Sequence, residues 1–233
     1  MLLDDADARH ISKALRMRAG DEIILSDGMG KSFIAVLDKV DREGVSCAIT
    51  QPAPETAAPA LRVTLVQALP KGDKMDYIVQ KGAEIGLSGI IPLISERVEA
   101  KLTEDKRIKR TERWRRIAME AAKQCRRPDI PQISPPRTWD EALEEIPQSA
   151  CALIPWEGET KYSLKSFLRE RPAPQEIYCF IGPEGGFSSS EIEKARRHGL
   201  LSVSLGPRIL RAETAGLAVA VMLLYQWGDL GGA

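Results

Sequence analysis

Ile181-Gly182-Pro183-Glu184-Gly185-Gly186-Phe187 and Leu205-Gly206-Pro207-Arg208-Ile209-Leu210-Arg211-Ala212-Glu213-Thr214-Ala215 are the two stretches on which the fold turns. Each begins where a short apolar run ends, at 177–181 and 203–205, and each leads into a helical pattern. Strand, Gly-Pro turn and helix, twice in succession, describe an α/β domain with a mainly parallel sheet. Ligands in such sheets bind outside the carboxyl ends of the strands, where both loops fall. Pro183 stiffens the first loop, while Gly185-Gly186 allows positive φ and close backbone approach. Backbone N–H and C=O groups exposed there suit a planar, uncharged heterocycle such as adenine. One such loop is an ordinary strand–helix turn; two neighbouring ones make a cleft.

The rest of the domain follows the same alternation. Residues 61–69 read as a strand and 74–85 as a helix with Met75, Ile78, Val79 and Gly82 on one face, closed by Gly86. Strands are expected at 89–94 and 150–154, and an apolar helix at 213–227 that must be buried against a sheet or a partner chain. Ser188-x-x-Glu191 and Ser190-x-x-Glu193 are overlapping capping boxes that open a helix ending near Gly199. Upstream, 51–60 (QPAPETAAPA) holds three Pro and four Ala without periodicity, a semi-rigid linker. Before it come a helix at 7–17 and strands at 22–26, 32–40 and 44–50, joined by Asp27-Gly28-Met29-Gly30 and Asp41-Arg42-Glu43-Gly44. That is the chemistry of hairpins in a small β-barrel. Gly28-Met29-Gly30-Lys31 lacks Walker spacing and is read as a turn. The expected division is therefore a barrel over 1–52, a linker over 53–60 and the α/β domain over 61–233.

The 33 basic and 33 acidic residues cancel. A zero total argues against a protein that binds nucleic acid through overall charge, but residues 97–137 hold 13 of the cations against six anions. Most lie on a helix expected over 105–127. Ile108, Thr111, Trp114, Ala118, Ala121 and Cys125 step along its core face, and Lys109, Arg113, Arg116, Lys123 and Arg127 along another, with Gln124, Arg126 and Arg127 at its exit. Arginine forks suit phosphate, so this element is a candidate RNA surface. The start MLLDDADARH has no apolar signal core, and the longest apolar run, 215–225, is too short for a bilayer. Four scattered cysteines and two histidines give neither a disulfide framework nor a zinc site. A cytoplasmic protein without metal or membrane is expected.

GPEGGFSSSEI followed by LGPRILRAETAGLA resembles the SPOUT superfamily, specifically the 16S ribosomal RNA uracil-N3 methyltransferase family. The likeness spans nearly the whole chain. Arg9-His10, Leu15-Arg16 and Gly20-Asp21 resemble that family's PUA-like barrel. The segments 71–76 (KGDKMD) and 81–86 (KGAEIG) resemble its first helix, and 120–126 (EAAKQCR) its Gln-Arg element. The family pattern leads one to expect Ala or a small β-branched residue in place of Gly82, and a polar one in place of Val98.

The resemblance implies a C-terminal trefoil knot, S-adenosylmethionine as cofactor, a homodimer whose site is completed across the interface, and a uridine of 16S ribosomal RNA in the small subunit as substrate. The cofactor residues it implies are Leu153, Pro155, Ile181, Gly182, Pro183, Glu184, Gly185, Gly186, Leu205, Gly206, Ile209, Leu210, Arg211, Thr214 and Ala215. RNA contacts are expected from Arg9, Arg16, Lys71, Lys81, Arg97, Arg113, Arg116, Gln124, Arg126, Arg127 and Arg208. Uracil N3 becomes a nucleophile on losing its proton, so Arg211 or Arg208 is expected to stabilise the anion, with Glu84 or Glu184 as candidate proton acceptors. For Glu184 a structural ion pair ranks ahead of catalysis. The rivals are a ribose 2′-O-methyltransferase of the same fold, whose Asn-containing motif is here Ile209-Leu210-Arg211, and a non-catalytic RNA-binding assembly factor.

Overall fold

The computed structural model describes residues 1–41, 44–54, 60–98 and 103–232. Arg42 and Glu43 of the second expected turn, and residues 55–59 of the expected linker, lie outside the described residues. The chain divides into two units, Met1–Ala58 with Arg126–Ile130, and Pro59–Cys125 with Pro131–Ala233.

In the first unit β1 (Glu22–Ser26), β2 (Ser32–Val40) and β3 (Val45–Pro52) form an antiparallel sheet in that order. Ala35, Leu37, Val45 and Cys47 alternate onto its buried face. Ala8 and Ile11 pack there from α1 (Asp5–Arg9) and the π-helical turn His10–Leu15 that continues it. The single helix expected over 7–17 is thus a short α-helix running into a wider turn, which Arg16 closes at φ 54°. The β1–β2 turn is held by Asp27, whose Oδ1 accepts from the amides of Met29 (2.7 Å) and Lys31 (3.0 Å).

The second unit is built on a parallel sheet of order β6-β5-β4-β8-β7-β9. Its strands are β4 (Arg62–Ala68), β5 (Gly89–Leu93), β6 (Gln132–Ile133), β7 (Cys151–Pro155), β8 (Glu176–Ile181) and β9 (Leu201–Val203). The central strands are apolar on both faces because helices cover both. Val66, Ala68, Ile91 and Phe180 meet the side formed by α4 (Trp139–Glu144) and α6 (Ser189–Arg197). On the other side lie α2 (Lys74–Ile85), α3 (Glu104–Gln124) and α7 (Ala212–Trp227). A Cβ on Gly216 would stand 3.0 Å from Leu65 and from Gln67 Oε1, so that glycine lets α7 approach β4 closely.

Several expectations are corrected. The last strand ends at Val203, not Leu205, and Ser204 instead bridges Ser163 beyond the loop that leaves β7. Of the two capping boxes only Ser188–Glu191 forms, because Ser190 already lies within α6, where its hydroxyl donates to Glu96 (3.0 Å). Ile108 is 49% exposed and Cys125 half-buried, whereas Thr111, Trp114, Ala118 and Ala121 are buried as expected. The strand β6 and the helices α4 and α5 (Leu164–Glu170) were not anticipated; each is too short to show a period. Gly82 is explained by packing, because a Cβ there would lie 2.7 Å from Leu87 Cδ1 and 3.2 Å from Ile90 Cδ1.

One buried carboxylate ties the α4/α6 side to the sheet. Glu191, 2% exposed, accepts from the amides of Ser188 (2.8 Å) and Glu96 (2.9 Å) and from the indole N–H of Trp139. Removing the acceptor strands donors that water cannot reach. Glu191→Ala is therefore expected to lower the unfolding free energy by about 3 kcal/mol. Urea titration checks it, and a loss below about 1 kcal/mol would show the donors re-satisfied.

Candidate active site

Loops leaving β7, β8 and β9 converge with the start of α2 on one cleft of about 770 Å³. Strand order causes this, because β8, β7 and β9 are sheet neighbours and their carboxyl ends lie side by side. The β8 loop supplies Gly182, Pro183, Glu184, Gly186 and Phe187, following Ile181; the β9 loop supplies residues 204–211, followed by Ala212 and Ala215 of α7.

The glycines have definite work. Gly186 sits at φ 67° and Gly206 at φ 105°, backbone that favours glycine. A Cβ on Gly182 would press to 3.2 Å on the backbone of Gly186 and Phe187, the returning arm of its own loop. The Gly186 amide closes that arm on the Pro183 carbonyl at 2.9 Å. Arg97 clamps it from outside by donating to the Gly185 carbonyl. Exposed peptide edges with Ile181, Phe187, Leu205, Ile209 and Leu210 around them fit a flat heterocycle.

Of the expected cofactor residues, Pro155, Ile181, Gly182, Pro183, Glu184, Gly186, Leu205, Gly206, Ile209, Leu210, Arg211 and Ala215 line the cleft. Leu153 is wholly buried in the core, and Gly185 and Thr214, both exposed, are not among the residues that line the cleft. The β7 loop contributes more than was expected, namely Trp156, Glu157, Glu159 and Thr160. The Trp156 ring lies against Gly158, where a Cβ would be 2.4 Å away, with the Arg196 guanidinium 5.3 Å above it. Glu159 is held by the Ser202 hydroxyl (2.7 Å) and the Lys161 amide (2.9 Å), and these bonds keep its carboxyl below the ordinary glutamate range. Trp156-Glu157-Gly158 after a buried strand was the available signal, the same strand-then-glycine pattern as the other two loops.

Electrostatics separate the candidates. Arg208 and Arg211 line the cleft, and among the described residues neither guanidinium has a hydrogen-bond or ion-pair partner. Glu184 is engaged: Oε1 accepts from Lys74 Nζ at 2.8 Å and from the Lys71 amide at 3.1 Å. Burial works to raise its pKa, but those hydrogen bonds prevail and hold it below the ordinary value. A carboxylate so held is a poor proton acceptor, which supports the ion-pair reading. Glu84 is away from this cleft, in an α2–α3 groove with Lys81, Arg116 and Gln124, and binds Lys81 at 2.8 Å. Among the described residues no His, Cys, Asp and Glu cluster could hold a metal ion.

The expected RNA residues fall into free and engaged groups. Arg116 and Gln124 are exposed on α3, while Arg113 is ion-paired with Asp76, which also accepts from Trp114 Nε1 (3.1 Å). Arg127 is only 14% exposed and pairs with Asp129 at 2.7 Å, within the first unit. Arg126, exposed at φ 61°, and Arg16 each end a helix in left-handed backbone, and Arg9 bonds back to the Asp5 carbonyl (2.9 Å).

Residues 57–224 match the family model of an RNA methyltransferase domain, and residues 3–50 that of an RNA methyltransferase PUA domain. The chain belongs to the RNA methyltransferase family. Within that family it is similar to "Ribosomal RNA small subunit methyltransferase E" of Bacillus subtilis, 31% identical over 94% of this chain and 88% of the relative. The protein of that name from Synechocystis is 33% identical over 91% and 69%. Among solved structures, ribosomal RNA small subunit methyltransferase E from Neisseria gonorrhoeae, bound to S-adenosyl methionine, superposes with a TM-score of 0.88 at 33% identity, covering 99% of this chain and 93% of that one. A Legionella pneumophila methyltransferase in complex with the same cofactor gives 0.87 at 34%, with coverages of 99% and 93%. The resemblance drawn from the two late loops is thereby borne out for this RNA methyltransferase.

Proposed function

We propose that this RNA methyltransferase uses S-adenosylmethionine to methylate N3 of one uridine in 16S ribosomal RNA. The observation that carries the reading is the cleft of three loops, crowded at Gly182, left-handed at Gly186 and Gly206, and bearing two arginines that have no partner among the described residues. Its relatives named for the small ribosomal subunit, one of them compared as a structure with the cofactor bound, support the reading. The backbone of 182–186 and 205–210 holds the adenosine, with Trp156 as a fixed wall. When bound, the cofactor supplies an electrophilic methyl group on a sulfonium.

Uracil N3 must lose its proton, here to solvent water, before its lone pair can form the new N–C bond as the methyl–sulfur bond breaks with its electron pair left on sulfur, and the charge of the uracil anion spreads onto the flanking carbonyl oxygens. Arg211, at the N-cap of α7, and Arg208 place positive charge in the cleft for those oxygens. Glu184 acts as a counterion. The exposed face of α3 tracks phosphate through Arg116 and its neighbours.

The reading includes a trefoil knot, supported by Ser204 pairing with Ser163 after residues 156–162 have looped away from β7. It includes a homodimer, supported by Val221, Met222 and Tyr225 left exposed on apolar α7, and a cytoplasmic setting. No helix among the described residues is long and apolar enough to cross a membrane.

The test is mass spectrometry of nucleosides from small-subunit RNA of cells with and without this protein. A 3-methyluridine lost on deletion and restored by the active chain is expected. Loss of a 2′-O-methyl nucleoside instead, or no change, overturns the assignment.

A further inference from the structure

Lys74 occupies the first position of α2, where a cation opposes the helix dipole. A lysine placed there for solubility alone would be disfavoured, and this one, its side chain 36% exposed, turns its ammonium onto two carboxylates. Its Nζ lies 2.8 Å from Glu184 Oε1, on the β8 loop, and 3.3 Å from Glu213 Oε2, in the first turn of α7 directly after the β9 loop. Its ammonium is held above the usual lysine range, first by the Glu184 hydrogen bond and then, against the opposing effect of burial, by Glu213. Glu213 Oε2 is itself buried and makes no hydrogen bond of good geometry among the described residues, so this ammonium is its compensation. The Lys71 amide adds a second tie from the same turn to Glu184.

Two loops that must grip one ligand from opposite sides are thus joined through a single side chain from a third element. We propose that Lys74 is a positioning residue that staples the β8 and β9 loops at the spacing the cofactor requires, with Glu184 and Glu213 as its two anchors. The proposal rests on the reading of this cleft as the S-adenosylmethionine site. Without the ammonium, the two carboxylates that share it are left uncompensated beside each other and repel, and the elements that carry them part. Lysine suits the task because one compact charge can serve two anchors at once.

The test is calorimetric binding of S-adenosylmethionine to the full-length protein, without RNA, for wild type, Lys74→Met, Lys74→Arg and Lys74→Met/Glu184→Gln. Lys74→Met is expected to raise Kd at least tenfold while kcat at saturating cofactor falls less than threefold. Lys74→Arg should recover Kd to within threefold of wild type. In the double variant only one of the two carboxylates is left and their mutual repulsion is gone, so Kd should improve on that of Lys74→Met. A wild-type Kd in Lys74→Met overturns the staple, as does a kcat loss beyond a hundredfold with Kd unchanged, which would put Lys74 on the reacting atoms. If Lys74→Met alone unfolds, a Lys74→Arg variant that is folded yet binds no better than tenfold below wild type overturns it as well. Failure of the wild-type protein to bind the cofactor would instead count against the functional reading.

Discussion

Gly182→Val is expected to weaken S-adenosylmethionine binding about a hundredfold, close to 2.7 kcal/mol, with the protein still folded. The argument is steric. A Cβ at 182 already stands 3.2 Å from the Gly186 carbonyl carbon and the Phe187 nitrogen, and valine adds two methyl groups. Those neighbours are backbone atoms, which cannot swing aside as a side-chain tip can. The loop must open, at a cost typical of overpacking, about 1–3 kcal/mol. Opening separates the peptide groups that are to meet the ligand together. Behind the loop Trp139 stacks on Phe180 and meets Phe187, the loop's last residue, edge-on, both at centroid distances of 5.2 Å, so the global fold should survive. Calorimetry with the cofactor, alongside thermal melting, separates the two effects. Wild-type affinity would show that this loop is not the cradle.

The second large effect is expected at Arg211. In Arg211→Ala, single-turnover methylation of small-subunit RNA should fall about 10²–10³-fold at saturating cofactor. Its guanidinium lines the cleft without a protein partner among the described residues, so its removal leaves no orphaned counterion and the structural cost is small. The loss belongs to the step in which charge develops on uracil, where a preorganised cation is worth far more than in water. Arg211→Lys should regain part of the rate, because the charge is restored without the planar fork. A normal single-turnover rate in Arg211→Ala would remove the residue from the chemistry.

Much of the site was legible because its signals are local. Gly182, Gly186 and Gly206 are glycines for reasons of φ or of contact within a few residues, and a strand followed by Gly-Pro announces such a turn wherever it occurs. The helix at 74–85 and its cap at Gly86 were read to the residue, since an amphipathic period over three turns has one solution. Short elements fared worse: α5 has seven residues and β6 two, too few for any period. Trp156 escaped notice because its place in the cleft depends on β7 lying between β8 and β9.

The charges make the same division. Counting cations located α3, but could not tell Arg116, exposed on its surface, from Arg127, folded in upon Asp129. Likewise Glu184 and Glu84 look alike as acids in a row of letters. One lies 110 residues from the lysine that engages it and the other three.

By itself the sequence determined the longer elements, their class and the two loops that mark the family, because hydrophobic period, capping and glycine backbone freedom act over a few residues. Only the tertiary structure decided the order β4-β8-β7-β9, and with it that three loops and Lys74 meet at one cleft. Those neighbours are chosen by burial of both sheet faces, a property of the assembled layers that no short stretch of chain can express.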